Sequence, residues 1–228
     1  MLSAGKTSTR YADYAFWREK KETPQYSVWH FGCDISPTTR DISVYAPVDI
    51  EIVSVLRTLV NERDSSGNPT GNLVYSDGGP GIVTARTIDE FPWIRRIWDP
   101  QQKRWRWYEA GTIRPYLRFL HLSWDGLDRL SVGQTISRKT AFGRIANDSE
   151  IQKMWTKNKK SSLPMAMHLH FEVNQKTWFP IIGKTKDQQL ALGADLYADP
   201  VYFLEDGIVT FQLKPRDERR VPLLTWRL

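Results

Sequence analysis

Cysteine occurs once, as Cys33, so no disulfide can form within the chain. That scarcity excludes a disulfide-stapled scaffold but sets no compartment, since disulfide-free chains work on both sides of a membrane. No stretch approaches the ~18 consecutive apolar residues of a membrane-spanning helix, so no transmembrane segment is expected. The opening residues, MLSAGKTSTRYADYAFWREKKETP, hold no apolar run of signal-peptide length. The expectation is a chain without a visible export signal: cytosolic, exported by a route the sequence does not encode, or shorn of its signal. There is no internal repeat and no low-complexity run, which excludes a solenoid or a disordered linker. Histidine is scarce too, with four in the chain.

Aromatic side chains, by contrast, are abundant. Ten Trp, nine Tyr and nine Phe need burial or stacking, which excludes a disordered polar chain. A 40% hydrophobic share over 228 residues suffices for one sizeable core, or one core with appendages. The formal net charge of +6 suits a polyanionic neighbour such as nucleic acid, anionic cell wall or an acidic partner, or a basic soluble protein without one.

Residues 1–25 are polar, end near Pro24 and read as an N-terminal arm. From Tyr26 short strand-like segments follow one another. SVYAPVDIEIVSVLRTLV alternates and is rich in β-branched residues, with Pro47 dividing it. Asn61 to Gly71 is dense in turn formers and reads as an exposed hairpin loop. NLVYS and GIVTARTI come next, around a turn at Asp77 to Gly81. FPWIRRIWDPQQKRWRWYEAG holds four Trp and five basic residues around Asp99-Pro100-Gln101-Gln102, the pattern of a protruding hairpin. YLRFLHLS returns to strand character, and LSVGQTISRKT and AFGRIAN are short strands around Gly turns. Asp148-Ser149-Glu150 would cap a short helix. MHLHFEV is a strand, and a basic extension closes the chain. Many short strands with Gly/Pro turns predict a mainly β fold: an antiparallel, β-sandwich-like domain with a Trp-rich hairpin insertion and short terminal extensions.

The histidines fall into three settings. In a strand, residues i and i+2 share a face, so His168 and His170 project side by side, about 6–7 Å apart along the chain. Glu172 shares that face, while Leu169, Phe171 and Val173 face a core. Upstream, His30-Phe31-Gly32-Cys33-Asp34 can fold an imidazole and a carboxylate onto one metal if the backbone bends at Gly32. Zinc accepts both ligand types, and catalytic sites commonly use three protein ligands and leave one position for water. His30, Asp34 and one histidine of the HLH run would make such a set, leaving two histidines for proton work and transition-state stabilisation. Taken singly, each piece also suits an exposed, packed or hydrogen-bonded residue. Cys33 reads as a small packed residue, since neighbours in a strand point apart.

In this order, WHFGCDI, FLHLS and HLHFEV resemble the three signatures of the lysostaphin/LytM-type zinc metallopeptidases, which cleave peptide bonds in bacterial peptidoglycan. The intervening YAPVDIEIVSV, NLVYSDGGPGIVTA, SVGQTISRKTAFGRI and ADPVYFL are similar to further pieces of that pattern, although Asp49-Ile50-Glu51 stands where a glycine is usual. The resemblance spans 26–204, with insertions about 87–114 and 147–164 and a C-terminal extension at 205–228. It implies zinc held by His30, Asp34 and His170, with His121 and His168 as the catalytic pair. Glu172 would orient an imidazole or lie solvated on the strand.

The resemblance implies a zinc-dependent endopeptidase with peptidoglycan as its partner. It would act at the cell wall, in the periplasm or outside the cell; the lack of a visible export signal fits a bacteriophage lysin or virion-associated wall hydrolase, and no nucleic-acid partner is expected. The alternative is a non-catalytic wall-binding or virion module that keeps the fold, with both termini as docking segments. A cupin-like metal oxygenase would share the HxH strand but has no use for HFGCD. The Trp-rich hairpin reads as a ribbon covering the sheet, or as a wall that stacks on sugars and holds anionic polymer through Arg95, Arg96, Lys103, Arg104 and Arg106.

Overall fold

The computed structural model describes residues 1, 4–9, 32–75, 79–99, 101–147, 149–150, 167–176, 197–198, 200, 203–204, 207, 209–212 and 225–227. Its described strands are, in chain order, β1 (Ala4–Thr9), β2 (Cys33–Pro37), β3 (Ser43–Tyr45), β4 (Ile50–Arg57), β5 (Leu59–Arg63), β6 (Pro69–Tyr75), β7 (Gly81–Thr87), β8 (Phe91–Asp99), β9 (Arg104–Ile113), β10 (Tyr116–Leu122), β11 (Thr135–Ile136), β12 (Ala141–Arg144), β13 (Leu169–Asn174), β14 (Tyr197–Ala198), β15 (Val209–Gln212) and β16 (Thr225–Arg227). The fold is mainly β, as the strand-and-turn pattern predicts. No helix among the described residues is long and apolar enough to cross a membrane.

Most strands join one sheet in the order β11-β4-β7-β10-β13-β14-β15-β8-β9. Its neighbours are antiparallel except β15 and β8, which run parallel. The outer edge of β13 is shared: Leu169 to Phe171 pair with β2, and Val173 and Asn174 pair with β14. With β10 on its other edge, β13 has partners on both sides, and all six of its residues are buried. Strand β1 adds to β2, and β16 to β1, so pieces of both terminal segments are strands of the main sheet.

Alternation places the core. On β4, Ile50 and Ile52 are buried and Glu51 is exposed. On β10, Leu117 and Phe119 are buried between the half-buried Tyr116, Arg118 and Leu120. Phe119 meets Phe171 of β13 at 5.1 Å between ring centroids. Phe142 of β12 closes over it edge-on at 5.0 Å. Strands β3 and β12 form a two-stranded sheet whose Val44 and Phe142 belong to the same core, so a small second layer covers this face. Cys33 is fully buried there, paired with Phe171.

Three local expectations need refinement. NLVYS does not pair with GIVTA: β6 pairs with β5 around the Asp64–Asn68 turn, whereas β7 lies between β4 and β10. The helix cap is Asn147 rather than Asp148-Ser149-Glu150. The Asn147 side chain accepts the Glu150 N–H at 3.0 Å, and the Glu150 carboxylate accepts the Asn147 N–H at 3.0 Å, a reciprocal capping box. Residues 149–150 are helical, while Asp148 and the expected helix beyond 150 lie outside the described residues. The Trp-rich segment does form a hairpin, with Trp98 opposite Trp105 and the Asp99 carboxylate accepting the Gln101 and Gln102 N–H groups. Its base is fixed rather than free, because Phe91 packs on Phe203 and β8 pairs with β15.

Candidate metal centre

Pairing of β2 with β13 sets Asp34 directly across from His170. Cross-strand partners share a face, so the carboxylate and the imidazole lie together on the face opposite Phe171 and Cys33. Asp34 Oδ1 is 2.9 Å from His170 Nδ1 and 3.6 Å from His168 Nε2. His168 immediately precedes β13, and its ring reaches the same carboxylate oxygen, as two residues on one face of an extended chain should.

Gly32 makes this approach possible. A Cβ there would lie 2.6 Å from His170 Nε2 and 2.6 Å from the Phe171 carbonyl oxygen. The residue is not in the left-handed region. Gly32 does lie at a bend, as the sequence suggests, and close packing on the imidazole adds a separate need for glycine.

His121 arrives by a different device. Along β10, Leu117, Phe119 and His121 have the same parity, so regular alternation would send His121 into the core. Instead the register against β7 shifts between Phe119 and Leu122. His121 takes φ of 61°, an uncommon value that a β-bulge accommodates. Its carbonyl accepts the Ala146 N–H at 2.8 Å, and the Ser123 N–H donates to the Arg144 carbonyl at 2.9 Å, fixing the bulge from the outside. Gly79 closes it from the other side, where a Cβ would come 2.6 Å from His121 Cα. The result is a His121 ring 4.7 Å from that of His168 and 6.0 Å from that of His170, centroid to centroid.

The cluster is buried: Asp34 is 7% exposed, and His121 and His170 are each 8% exposed. Burial alone would lower the His170 pKa, but hydrogen bonds and charge from Asp34 and Glu172 outweigh it and raise the group to about 9. Glu172 Oε1 lies 3.2 Å from His170 Nε2. Burial would raise the Glu172 pKa; Arg118, 2.8 Å from Oε2, and His170 instead hold it down at about 2.

The structure brings together Asp34, His121, His168 and His170. His30 lies outside the described residues. Among the described residues no group of three His, Cys, Asp or Glu side chains is set to hold a metal. The donor chemistry nevertheless fits two of three zinc ligands. A nitrogen and an oxygen 2.9 Å apart can both reach one ion at ~2.0–2.2 Å each. Sequence reasoning passed over Arg118, Asn174 and Tyr197. An arginine inside the apolar run YLRFLHL was the available signal, but its meaning depends on Arg118 facing Glu172 across the ladder.

No family model and no curated protein matches the chain. One solved structure, "Identification and structural characterization of LytU", is similar at 12% identity over 86% of this chain and 92% of that chain, with a TM-score of 0.35. At that score the backbones diverge too far for any residue of one to be transferred to the other.

Proposed function

We propose that this chain is a zinc-dependent endopeptidase that cleaves peptide bonds in bacterial peptidoglycan. The observation that carries the reading is the clustering of Asp34, His121, His168 and His170 on one face of the sheet. Asp34 and His170 present oxygen and nitrogen to one point, while the His121 ring stands beside that of His168, 4.7 Å away. The three sequence signatures, in their order, support the same assignment.

In this reading His30, Asp34 and His170 hold zinc, which when bound polarises a carbonyl and makes a coordinated water more acidic. His121 and His168 do the proton work. One accepts a proton from the attacking water, and the other donates a hydrogen bond to the oxygen that gains charge in the tetrahedral intermediate. Low exposure excludes bulk water from the cluster and strengthens each of these interactions.

The partner is then the bacterial wall, reached from the periplasm or from outside the cell, and a virion-associated wall hydrolase is the context we favour. The exposed Lys103, Arg104 and Arg106 near the β8–β9 tip would face anionic wall polymer, Arg106 while paired with Asp99. The test is digestion of defined peptidoglycan by protein loaded with one equivalent of zinc, with released peptides identified by mass. Peptide release that is lost in His121→Ala and His168→Ala supports the reading. Sedimentation with wall and no released peptide overturns it in favour of a binding module.

A further inference from the structure

Behind the imidazole cluster, Glu172 is itself held by a second polar group. Arg118 of β10 faces Glu172 of β13 across the ladder. Arg118 Nη1 donates to Glu172 Oε2 at 2.8 Å, with the two side chains 12% and 10% exposed. Asn174 Nδ2 donates to the same oxygen at 3.1 Å. The other oxygen, Oε1, points at His170 Nε2, 3.2 Å away.

A buried ion pair is a poor device for stability alone, because two apolar side chains of similar volume often do as well or better. What this pair supplies is direction. Two donors saturate Oε2 and fix the plane of the carboxylate, which leaves Oε1 as the acceptor for one nitrogen of His170. The other nitrogen, Nδ1, is the one beside Asp34.

We propose that Arg118 and Glu172 are positioning residues for metal binding: Arg118 fixes Glu172, and Glu172 takes the Nε2–H of His170, so that Nδ1 is the nitrogen offered to the metal beside Asp34. The inference rests on the zinc reading above. Carboxylate partners of this kind set the tautomer and basicity of a ligating imidazole.

The experiment measures zinc affinity by chelator competition, with thermal melts of the metal-free proteins as a control. The Arg118→Leu/Glu172→Leu double variant replaces the pair by apolar bulk and should fold with a melting temperature at or above that of the parent. Its zinc affinity should fall ~10–100-fold. Arg118→Lys, which keeps the charge, should recover most of that loss. A folded double variant with parental affinity overturns the inference and leaves the pair a packing feature. If the double variant does not fold, Glu172→Gln decides: an affinity loss of ~10-fold or more supports the inference and parental affinity overturns it. Parent protein that takes up no zinc overturns the zinc reading itself, and this inference with it.

Discussion

At the residue scale, the two histidines of the HLH run stand in different relations to Asp34. His170 Nδ1 is within hydrogen-bond distance of the carboxylate, and His168 Nε2 is 3.6 Å away beside the His121 ring. The expected phenotypes differ accordingly. His170→Ala should lose both zinc and turnover. His168→Ala should keep near-stoichiometric zinc by elemental analysis and lose about 100- to 10,000-fold in turnover, the span of a general acid–base group. Equal zinc loss in both variants contradicts the assignment. The same residues set a pH dependence for the metal-free protein. His170 is raised from 6.5 to about 9, so its contribution to stability is complete below pH 6.5 and disappears as pH rises through 9. Glu172 is lowered from 4.5 to about 2, so its contribution is present above pH 4.5 and is lost as pH falls through 2. Together they stabilise most between pH 4.5 and 6.5. Relative to His170→Ala, the metal-free protein should lose melting temperature between pH 6.5 and 9. Zinc affinity should rise over that interval, because the metal displaces the His170 proton.

At the scale of elements, the site depends on one irregularity in an otherwise regular sheet. The bulge at the end of β10 takes His121 out of the core-facing register, and it is held by Ala146, Arg144 and Gly79. Gly79 has φ of 81° and no room for a Cβ against His121 Cα. Gly79→Ala should therefore cost about 1–3 kcal/mol in denaturant unfolding, the usual range for strained backbone. It should reduce turnover beyond any change in zinc content, since in the proposed reading His121 is not a ligand. Turnover unchanged by the substitution would show that the bulge is incidental to His121. The capping box of Asn147 and Glu150 lies next to this bulge, with Ser123 Oγ donating to Glu150 Oε1 at 2.7 Å. The segment after β12 thus begins anchored to the residues that follow His121.

At the scale of the whole molecule, the chain closes on itself through late strands. Strand β15 stands between β14 and β8, so the last part of the chain joins the Trp-rich hairpin to the sheet that carries the site. Val209 at its start is fully buried. Val209→Asp places a charge in that junction and should destabilise by at least about 2 kcal/mol. Hydrogen exchange should show the amides of β8 and β9 accelerating more than those of β7 and β10. Uniform acceleration would mean that the hairpin and the central strands unfold as one unit.

The strand character of 169–173, the face shared by His168 and His170, and the inward face of Leu169, Phe171 and Val173 are all legible in the sequence, because a period of two is a local property of an extended chain. The turn of the Trp-rich hairpin is legible for the same reason, through Asp99. Pairing across the chain is not local. That Asp34 would oppose His170, and Arg118 oppose Glu172, depends on register between strands distant in sequence. That β6 would turn back on β5 rather than meet β7 depends on competition for strand edges. Most of all, alternation along YLRFLHL assigns His121 to the core, and only the packing of Gly79 and the β12 end around a left-handed residue turns it toward the other imidazoles. The sequence by itself singled out the side chains proposed to carry the chemistry. The tertiary structure decided which of them meet, because register and bulges are settled by partners that no local pattern names.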